Sequence, residues 1–330
     1  MRKVLQAPVL AIFLPAVLLG QEHGVPLRQV ATIPLPNVEG RIDHFGIDVR
    51  GRRLFMSALG NNTVEVFDLK TNQRLHTITG LDEPQGVTYA PDSNKIFVAN
   101  GGDGAVSIFD GETYNLVSVV HLSSDADDTR YDAASRRVYV GYGEGGIAEL
   151  DSNTGQLLGE TKLEGHPEAF EVGKGIGKIF INVPTAREIA VADAGRRAIV
   201  ARWRLAGYGA NFPMALDEAG HRLFVVSRRP AQLLVFDTES SQLAAHLAAV
   251  GDSDDVWYDA ARKRIYASGG EGFISVFEQT DAGHYRALAN LPTAPGARTS
   301  FFSPDLKRLF LAVPHHGAQK CELRIFETVN

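Results

Sequence analysis

The sequence predicts an all-β fold, a seven-bladed β-propeller with four antiparallel strands per blade, and three observations support this. Residues 86–122 divide into four short runs rich in β-branched and aromatic residues, separated by turns of Gly, Pro, Asp and Asn. Similar units recur along the chain every 40 to 44 residues, which is the length of one propeller blade. The last unit lacks a fourth strand, whereas a spare strand-like run, residues 28–36, precedes the first unit.

The repeats align from end to end. The first strand of each begins near His44, Gly86, Asp128, Glu168, Phe212, Asp255 and Thr299. A basic turn and a second apolar strand follow each time, as in RRLFMSAL and NKIFVAN, and then a third strand such as AVSIFD. Recurring apolar strands are expected where each blade buries both faces against its neighbours. Residues 28–36 should therefore supply the fourth strand of the last blade, which closes the ring and removes an exposed edge.

The N-terminal segment differs from the rest of the chain. Residues 1–20 contain a basic pair, then an apolar run, and end in the small residue Gly20, near which cleavage is expected. This pattern is typical of a secretory signal peptide. An uncleaved anchor helix is the alternative, but two prolines interrupt the run and it is short for a membrane span. We therefore expect residues 21–330 to form one exported domain, periplasmic or secreted, without a membrane span after signal removal.

Charge and cysteine content narrow the functional classes. The net charge is −6, and loss of the basic pair in residues 1–20 makes it more negative by two. An acidic protein lacks the basic surface that nucleic acid requires, so no nucleic-acid partner is expected. Cys321 is the only cysteine, which excludes an intrachain disulfide. Its apolar context favours a core position over a nucleophile, and a monomer is expected.

The repeats resemble a known family. The strings APDSNKIFVAN, VSIFD and TYNLV resemble the YVTN-type β-propeller repeat, and the whole mature chain resembles the YncE family of bacterial periplasmic propellers. The resemblance covers all seven repeats and implies the fold and a periplasmic location. It implies no single activity, because propellers serve as binding modules, scaffolds and enzymes. Repeat four, with GKGIGK, and repeat seven, with VPHHGAQK, depart from the pattern.

Polar residues should converge at one end of the central channel. The loops before each first strand, and those between second and third strands, share one face of a propeller, here called the top face. The loops before the first strands line the mouth of the channel. We expect a ligand site there formed by Asp43, His44, Gln85, Asp128, His166, Glu168, Asn211, Asp255 and Arg298. Arg298 supplies a single fixed positive charge, so the carboxylates would repel one another unless something further compensates them.

Three kinds of compensation are open. Calcium or another divalent cation prefers oxygen ligands of this type, and histidines beside carboxylates also suit zinc. Alternatively, each Asp caps a turn and the mouth is simply hydrated.

Other candidate sites lie elsewhere on the two faces. On the top face, Arg228 and Arg229 suit an anion, and His315 with His316 suits a metal. The opposite face, here called the underside, carries the basic turns between first and second strands.

Two functions remain open at this point. The chain has no G-x-S-x-G elbow, glycine-rich phosphate loop or C-x-x-C-H motif. The leading hypothesis is an exported binding module or scaffold whose top face takes a small molecule, a metal or a partner protein. The alternative is a calcium-dependent lactonase or esterase, because the chain distantly resembles gluconolactonase-type propellers. That resemblance implies Glu168, Asn211 and Asp255 (or Asp254) as ligands of a metal that activates water.

Overall fold

A computed structural model describes residues 25–329 of the chain. They form seven sheets, each of four antiparallel strands, which confirms the predicted fold class. The predicted signal peptide and its cleavage site near Gln21 lie outside the described residues. Within residues 25–329, no helix is both long and apolar enough to span a membrane.

The strands follow the repeats in chain order, after an N-terminal strand β1 (Leu27–Pro34). Blades 1 and 2 consist of β2 (Phe45–Asp48), β3 (Arg53–Ala58), β4 (Thr63–Asp68), β5 (Gln73–Ile78), β6 (Pro84–Ala90), β7 (Lys95–Asn100), β8 (Ala105–Asp110) and β9 (Leu116–His121). Blades 3 and 4 consist of β10 (Ala126–Asp132), β11 (Arg137–Tyr142), β12 (Gly146–Asp151), β13 (Leu157–Lys162), β14 (Phe170–Gly173), β15 (Lys178–Val183), β16 (Glu188–Asp193) and β17 (Ala198–Arg204).

The remaining blades continue this pattern. Blades 5 and 6 consist of β18 (Gly209–Asp217), β19 (Arg222–Arg229), β20 (Ala231–Asp237), β21 (Leu243–Ala248), β22 (Ser253–Asp259), β23 (Arg264–Gly269), β24 (Phe273–Gln279) and β25 (Tyr285–Pro292). Blade 7 consists of β26 (Ser300–Ser303), β27 (Arg308–Val313), β28 (Glu322–Thr328) and β1.

Blade 7 is completed by both ends of the described chain. Strand β1 pairs antiparallel with β28, with Leu27 opposite Thr328 and Pro34 opposite Glu322. This pairing agrees with the ring closure predicted for residues 28–36. It covers the edge of β28 that would otherwise offer unpaired N–H and C=O groups to another chain.

The hydrophobic core lies between neighbouring blades. Between blades 1 and 2, Phe55 and Val66 pack with Val87 and Ile96. Second strands are buried on both faces, as residues 96–100 of β7 are, because they lie in the middle of a sheet covered on each side. The outermost strand β9 is mostly exposed. The first strands, which lie innermost, are consequently free to carry polar groups toward the channel.

Candidate functional site

The inner strands are irregular where they reach the channel mouth. Four of them lose register with their neighbours, between Pro84 and Val87, Ala126 and Thr129, Asn211 and Met214, and Ser253 and Asp255. A bulge leaves residues unpaired and re-aims their side chains. The unpaired positions include Gln85, Asp127, Phe212 and Asp254, and all four line the mouth.

A cavity of about 480 Å³ occupies the mouth and is here called the mouth cavity. All seven blades contribute to its wall, through Arg41, Gln85, Asp127, His166, Glu168, Phe212, Arg228, Asp254 and Arg298, together with Leu59, Glu83 and Asp125. Asp43 and His44 lie beside it and share Asp127 and Glu168 as neighbours. Residues far apart in sequence therefore meet at one polar site.

The predicted site residues divide into three groups. Gln85, His166, Glu168 and Arg298 line the mouth cavity. Asp43 and Asp255 lie on the two sides of the His44 ring, 3.5 Å from Nε2 and 3.8 Å from Nδ1. Asp128 is buried and accepts a hydrogen bond from Arg130. Asn211 is buried in the wall between blades 4 and 5.

Two of the predicted metal ligands make hydrogen bonds to the channel wall. The Asn211 amide donates to Asn182 Oδ1 over 2.8 Å and to the Glu188 carbonyl over 3.1 Å. Asp255 Oδ2 accepts the Ser300 N–H over 2.7 Å, whereas Glu168 lies on the cavity wall. Among residues 25–329, no group of three or more His, Cys, Asp or Glu side chains is arranged to hold a metal ion.

Several arginines compensate the carboxylate charge, and not only the single Arg298 expected from the sequence. Arg41 donates to Asp43 over 2.6 Å, and Arg130 pairs with Asp128. Arg228 donates to Asp254 over 2.6 Å, and Arg298 Nε lies 3.1 Å from the other oxygen of that carboxylate.

Arg41 and Arg130 each lie two residues from the Asp they contact. Side chains two residues apart in an extended chain point to the same side, so both pairs could have been predicted from the sequence. Arg228 reaches the mouth from the end of β19, the second strand of blade 5, and no local pattern pairs it with Asp254.

His44 lies in the channel among three carboxylates. Its Nε2 lies 3.5 Å from Asp43 and 3.8 Å from Asp127, and its Nδ1 lies 3.8 Å from Asp255. Burial disfavours the charged imidazole, but the surrounding carboxylates outweigh it and raise the pKa of His44 well above 6.5. Burial also raises the pKa of Asp43 to about 6, against the opposing effect of His44 and Arg41.

Glu168 and His166 form the most perturbed part of the cavity wall. Burial, followed by the charge of Asp127, raises the pKa of Glu168 to about 8. His166 Nδ1 lies 2.7 Å from the Gly143 carbonyl and Nε2 lies 3.4 Å from Asp127. Burial opposes its charge, yet Asp127 and Gly143 raise the pKa of His166 to about 9. The Glu168 carboxyl makes no hydrogen bond or ion pair with another described side chain.

Charge is distributed unevenly around the mouth cavity. Blades 2 to 4 supply four acidic groups and one histidine, namely Glu83, Asp125, Asp127, Glu168 and His166. Arginines come from blades 5, 7 and 1, and each is already paired with an aspartate. The arginines of the wall therefore lie on blades 5, 7 and 1, whereas most acidic residues lie on blades 2 to 4.

Comparisons with known proteins agree with the fold. No protein-family model matches the sequence, so the YVTN-type repeat is not confirmed by one. The chain is 22% identical over 243 residues to the uncharacterized protein YncE of Salmonella typhi, and equally to YncE of Salmonella typhimurium strain LT2. Each match covers 73% of this chain and 57% of the relative, so the chain spans less than two thirds of these relatives.

Solved structures show the same architecture. A chain from the crystal structure of the mitotic checkpoint complex has a TM-score of 0.78 at 12% identity, covering 99% of this chain and all of that one. A chain of Kuenenia stuttgartiensis hydrazine synthase has a TM-score of 0.71 at 15% identity, covering 83% and 94%. At such identities the likeness shows the fold alone. The chain is a seven-bladed β-propeller, and its distant similarity to YncE supports a YncE-like propeller.

Proposed function

We propose that this protein is a binding module whose mouth cavity takes a small molecule carrying a cationic group, such as a protonated amine. The YncE-like propeller fold supports a binding role in general. A volume of about 480 Å³ suits a small molecule. We infer the positive charge of the ligand from Glu168. Its half-buried carboxyl faces the cavity without a hydrogen-bond or ion-pair partner among the described residues.

The surrounding charges favour a cation at this position. Asp127 and Asp125 lie on the same side as Glu168. Two imidazoles approach Asp127, with His166 Nε2 at 3.4 Å and His44 Nε2 at 3.8 Å. The arginines opposite are engaged with Asp43, Asp252 and Asp254. An ammonium group between Asp127 and Glu168 would pair with the Asp127 carboxylate, favour ionisation of Glu168, and replace the hydration that both groups lose on burial.

Binding of such a cation should release a proton. Because the pKa of Glu168 is about 8, this carboxyl is mostly protonated at neutral pH. A bound ammonium group favours the carboxylate and lowers that pKa, so the proton leaves as the ligand enters. The affinity should therefore increase as the pH rises from 6 to about 8.

The hydrolase alternative has weaker geometric support. It requires Glu168, Asn211 and Asp255 to share one metal, whereas Asn211 is buried in the wall between blades 4 and 5 and Asp255 Oδ2 accepts the Ser300 N–H. Elemental analysis of the purified protein tests it independently. Stoichiometric divalent metal, together with lactone hydrolysis that a chelator abolishes, would favour the hydrolase over the amine-binding module.

Calorimetric titration with small primary and quaternary amines tests the proposal, in two buffers of different ionisation enthalpy at pH 7. The wild-type protein should give saturable binding with proton release. Glu168→Gln should abolish the proton release and weaken binding about tenfold. Glu112→Gln removes the same charge from an exposed underside turn and should change neither. Absence of saturable binding, or equal binding by Glu168→Gln, would refute the proposal.

We also propose that the protein is exported, as the pattern of residues 1–20 predicts. The mature N-terminus should fall within a few residues of Gln21. Intact-mass measurement on protein recovered from the native cell tests this, and a stable protein that retains Arg2 would contradict it.

A further inference from the structure

A second cavity opens on the top face between blades 4 and 5, with a volume of about 570 Å³. It is here called the blade 4–5 pocket. Its polar side chains are Thr185, Arg187, Tyr208, Arg228 and Arg229, and Phe212 forms the wall toward the mouth cavity. No acidic residue is among the described residues that line it. The pocket thus differs sharply in charge from the mouth cavity.

Local geometry brings two of the arginines to the same place. Arg187 follows a short 3-10 turn, Pro184–Ala186, in a left-handed conformation with φ of 50°. Its side chain crosses Gly209, because a Cβ built on that glycine would lie 3.8 Å from Arg187 Nε. Gly209 is paired with Arg229 across strands β18 and β19. Directly opposed residues direct their side chains to the same face of a sheet, so Arg229 lies on the face that Arg187 covers.

These two arginines differ from the third in their contacts. The Arg228 guanidinium donates to the Ser253 carbonyl and to Asp254, and stacks on Phe212 at 3.9 Å. Neither Arg187 nor Arg229 makes a side-chain hydrogen bond or ion pair with another described residue. Two unpaired guanidinium groups at one concave site repel each other, and a bound anion would remove that repulsion.

We propose that the blade 4–5 pocket binds the oxyanion group of a small molecule, a phosphate or a carboxylate, between Arg187 and Arg229. Guanidinium groups present paired N–H donors that match both oxyanions. The hydroxyls of Thr185 and Tyr208 are further donors within the pocket. This site is separate from the amine site, since the ligand has the opposite charge and the two cavities share only Phe212 and Arg228.

Calorimetric titration with inorganic phosphate, phenyl phosphate and benzoate tests this site. Wild-type protein should bind at least one of them saturably, and the tighter of phenyl phosphate and benzoate identifies the class of oxyanion. The double variant Arg187→Gln/Arg229→Gln should bind it at least about tenfold more weakly. The control Arg28→Gln/Arg196→Gln removes the same charge from exposed arginines elsewhere and should bind like wild type.

Two further results separate the possible explanations. Glu168→Gln should leave anion binding unchanged, so failure of the amine proposal would not affect this one. Circular dichroism should show that the double variant keeps its β-sheet signal, which excludes loss of folding as the cause. No saturable binding by wild type, or equal binding by the folded double variant, would overturn the proposal and leave Arg187 and Arg229 as solvated surface arginines.

Discussion

Arg228 donates a hydrogen bond of 2.6 Å to Asp254 and thereby joins blade 5 to blade 6 at the rim of the channel. The same guanidinium donates to the Ser253 carbonyl over 2.8 Å. These contacts are partly shielded from solvent, with Arg228 at 19% and Asp254 at 10% side-chain exposure. The interaction is therefore screened less than a surface ion pair.

Loss of Arg228 should destabilise the ring. In Arg228→Gln, Asp254 loses one of its ion pairs and keeps the one with Arg298, and the Ser253 carbonyl loses a donor. We expect the free energy of unfolding to fall by about 1–3 kcal/mol, measured by urea denaturation. The adjacent Arg229→Gln, which breaks no described side-chain contact, should change it by less than about 0.5 kcal/mol. Equal effects of the two substitutions would contradict this account.

His166 should carry a positive charge well above neutral pH. Asp127 and the Gly143 carbonyl outweigh the effect of burial and raise its pKa to about 9. An NMR titration of the imidazole resonances measures this directly. Asp127→Asn should lower the pKa of His166, whereas Asp305→Asn, an equal charge change in an exposed underside turn, should not. Titration of His166 near 6.5 in the wild-type protein would show that the contact with Asp127 does not form in solution.

Stability should decrease as the pH rises from 5 to 9. Glu168 has a pKa of about 8 in the folded protein against 4.5 ordinarily, so between these values the folded state holds a proton that the unfolded state releases. His166 acts in the same direction between 6.5 and about 9. Bound protons favour the folded state in both windows, and this stabilisation is lost as the pH rises.

Glu168→Gln isolates one part of this dependence. Because glutamine does not titrate, the variant should lose less free energy of unfolding than wild type between pH 5 and 8. Above pH 8 the two proteins should show similar slopes, since His166 remains in both. Chemical denaturation at a series of pH values measures the slopes. A variant with the wild-type slope below pH 8 would mean that Glu168 ionises normally.

Removal of β1 should expose the edge of blade 7. Without residues 25–35, strand β28 has no outer partner, and we expect self-association through that edge. Size-exclusion chromatography with light scattering should show a shift to high mass. A synthetic peptide of residues 25–36, added during refolding, should restore the wild-type mass, and a scrambled peptide should not. A truncated protein with the wild-type elution and thermal stability would contradict closure by this strand.

The fold could be predicted from the sequence because each blade buries equivalent strands and therefore repeats the same pattern of apolar residues. The second strand of each blade is covered on both faces, so apolar strings such as KIFVAN recur at a fixed spacing. This regular spacing is compatible with few other folds. Ring closure followed from counting strands, since a missing fourth strand and a spare first one complement each other. Both inferences rest on patterns that extend over the whole chain.

The identity of the channel-lining residues depends on smaller features that the sequence does not reveal. The bulge after Asn211 places this side chain in the wall and its neighbour Phe212 at the mouth. Likewise Asp127 lines the mouth cavity while Asp128 is buried against Arg130. Counting from the start of a strand cannot separate two adjacent positions, because one unpaired residue reverses which of them faces the channel.

The pairing of β1 with β28 also fixes where the described chain enters and leaves the ring. The Val329 N–H donates to the Pro26 carbonyl over 3.0 Å, and the Thr328 N–H donates to the Lys307 carbonyl in an underside turn over 3.1 Å. Both ends therefore emerge side by side at the rim of blade 7, on the face opposite the channel mouth. If the domain were tethered to a surface or fused to another protein through either end, both cavities would point outward and stay accessible to ligands.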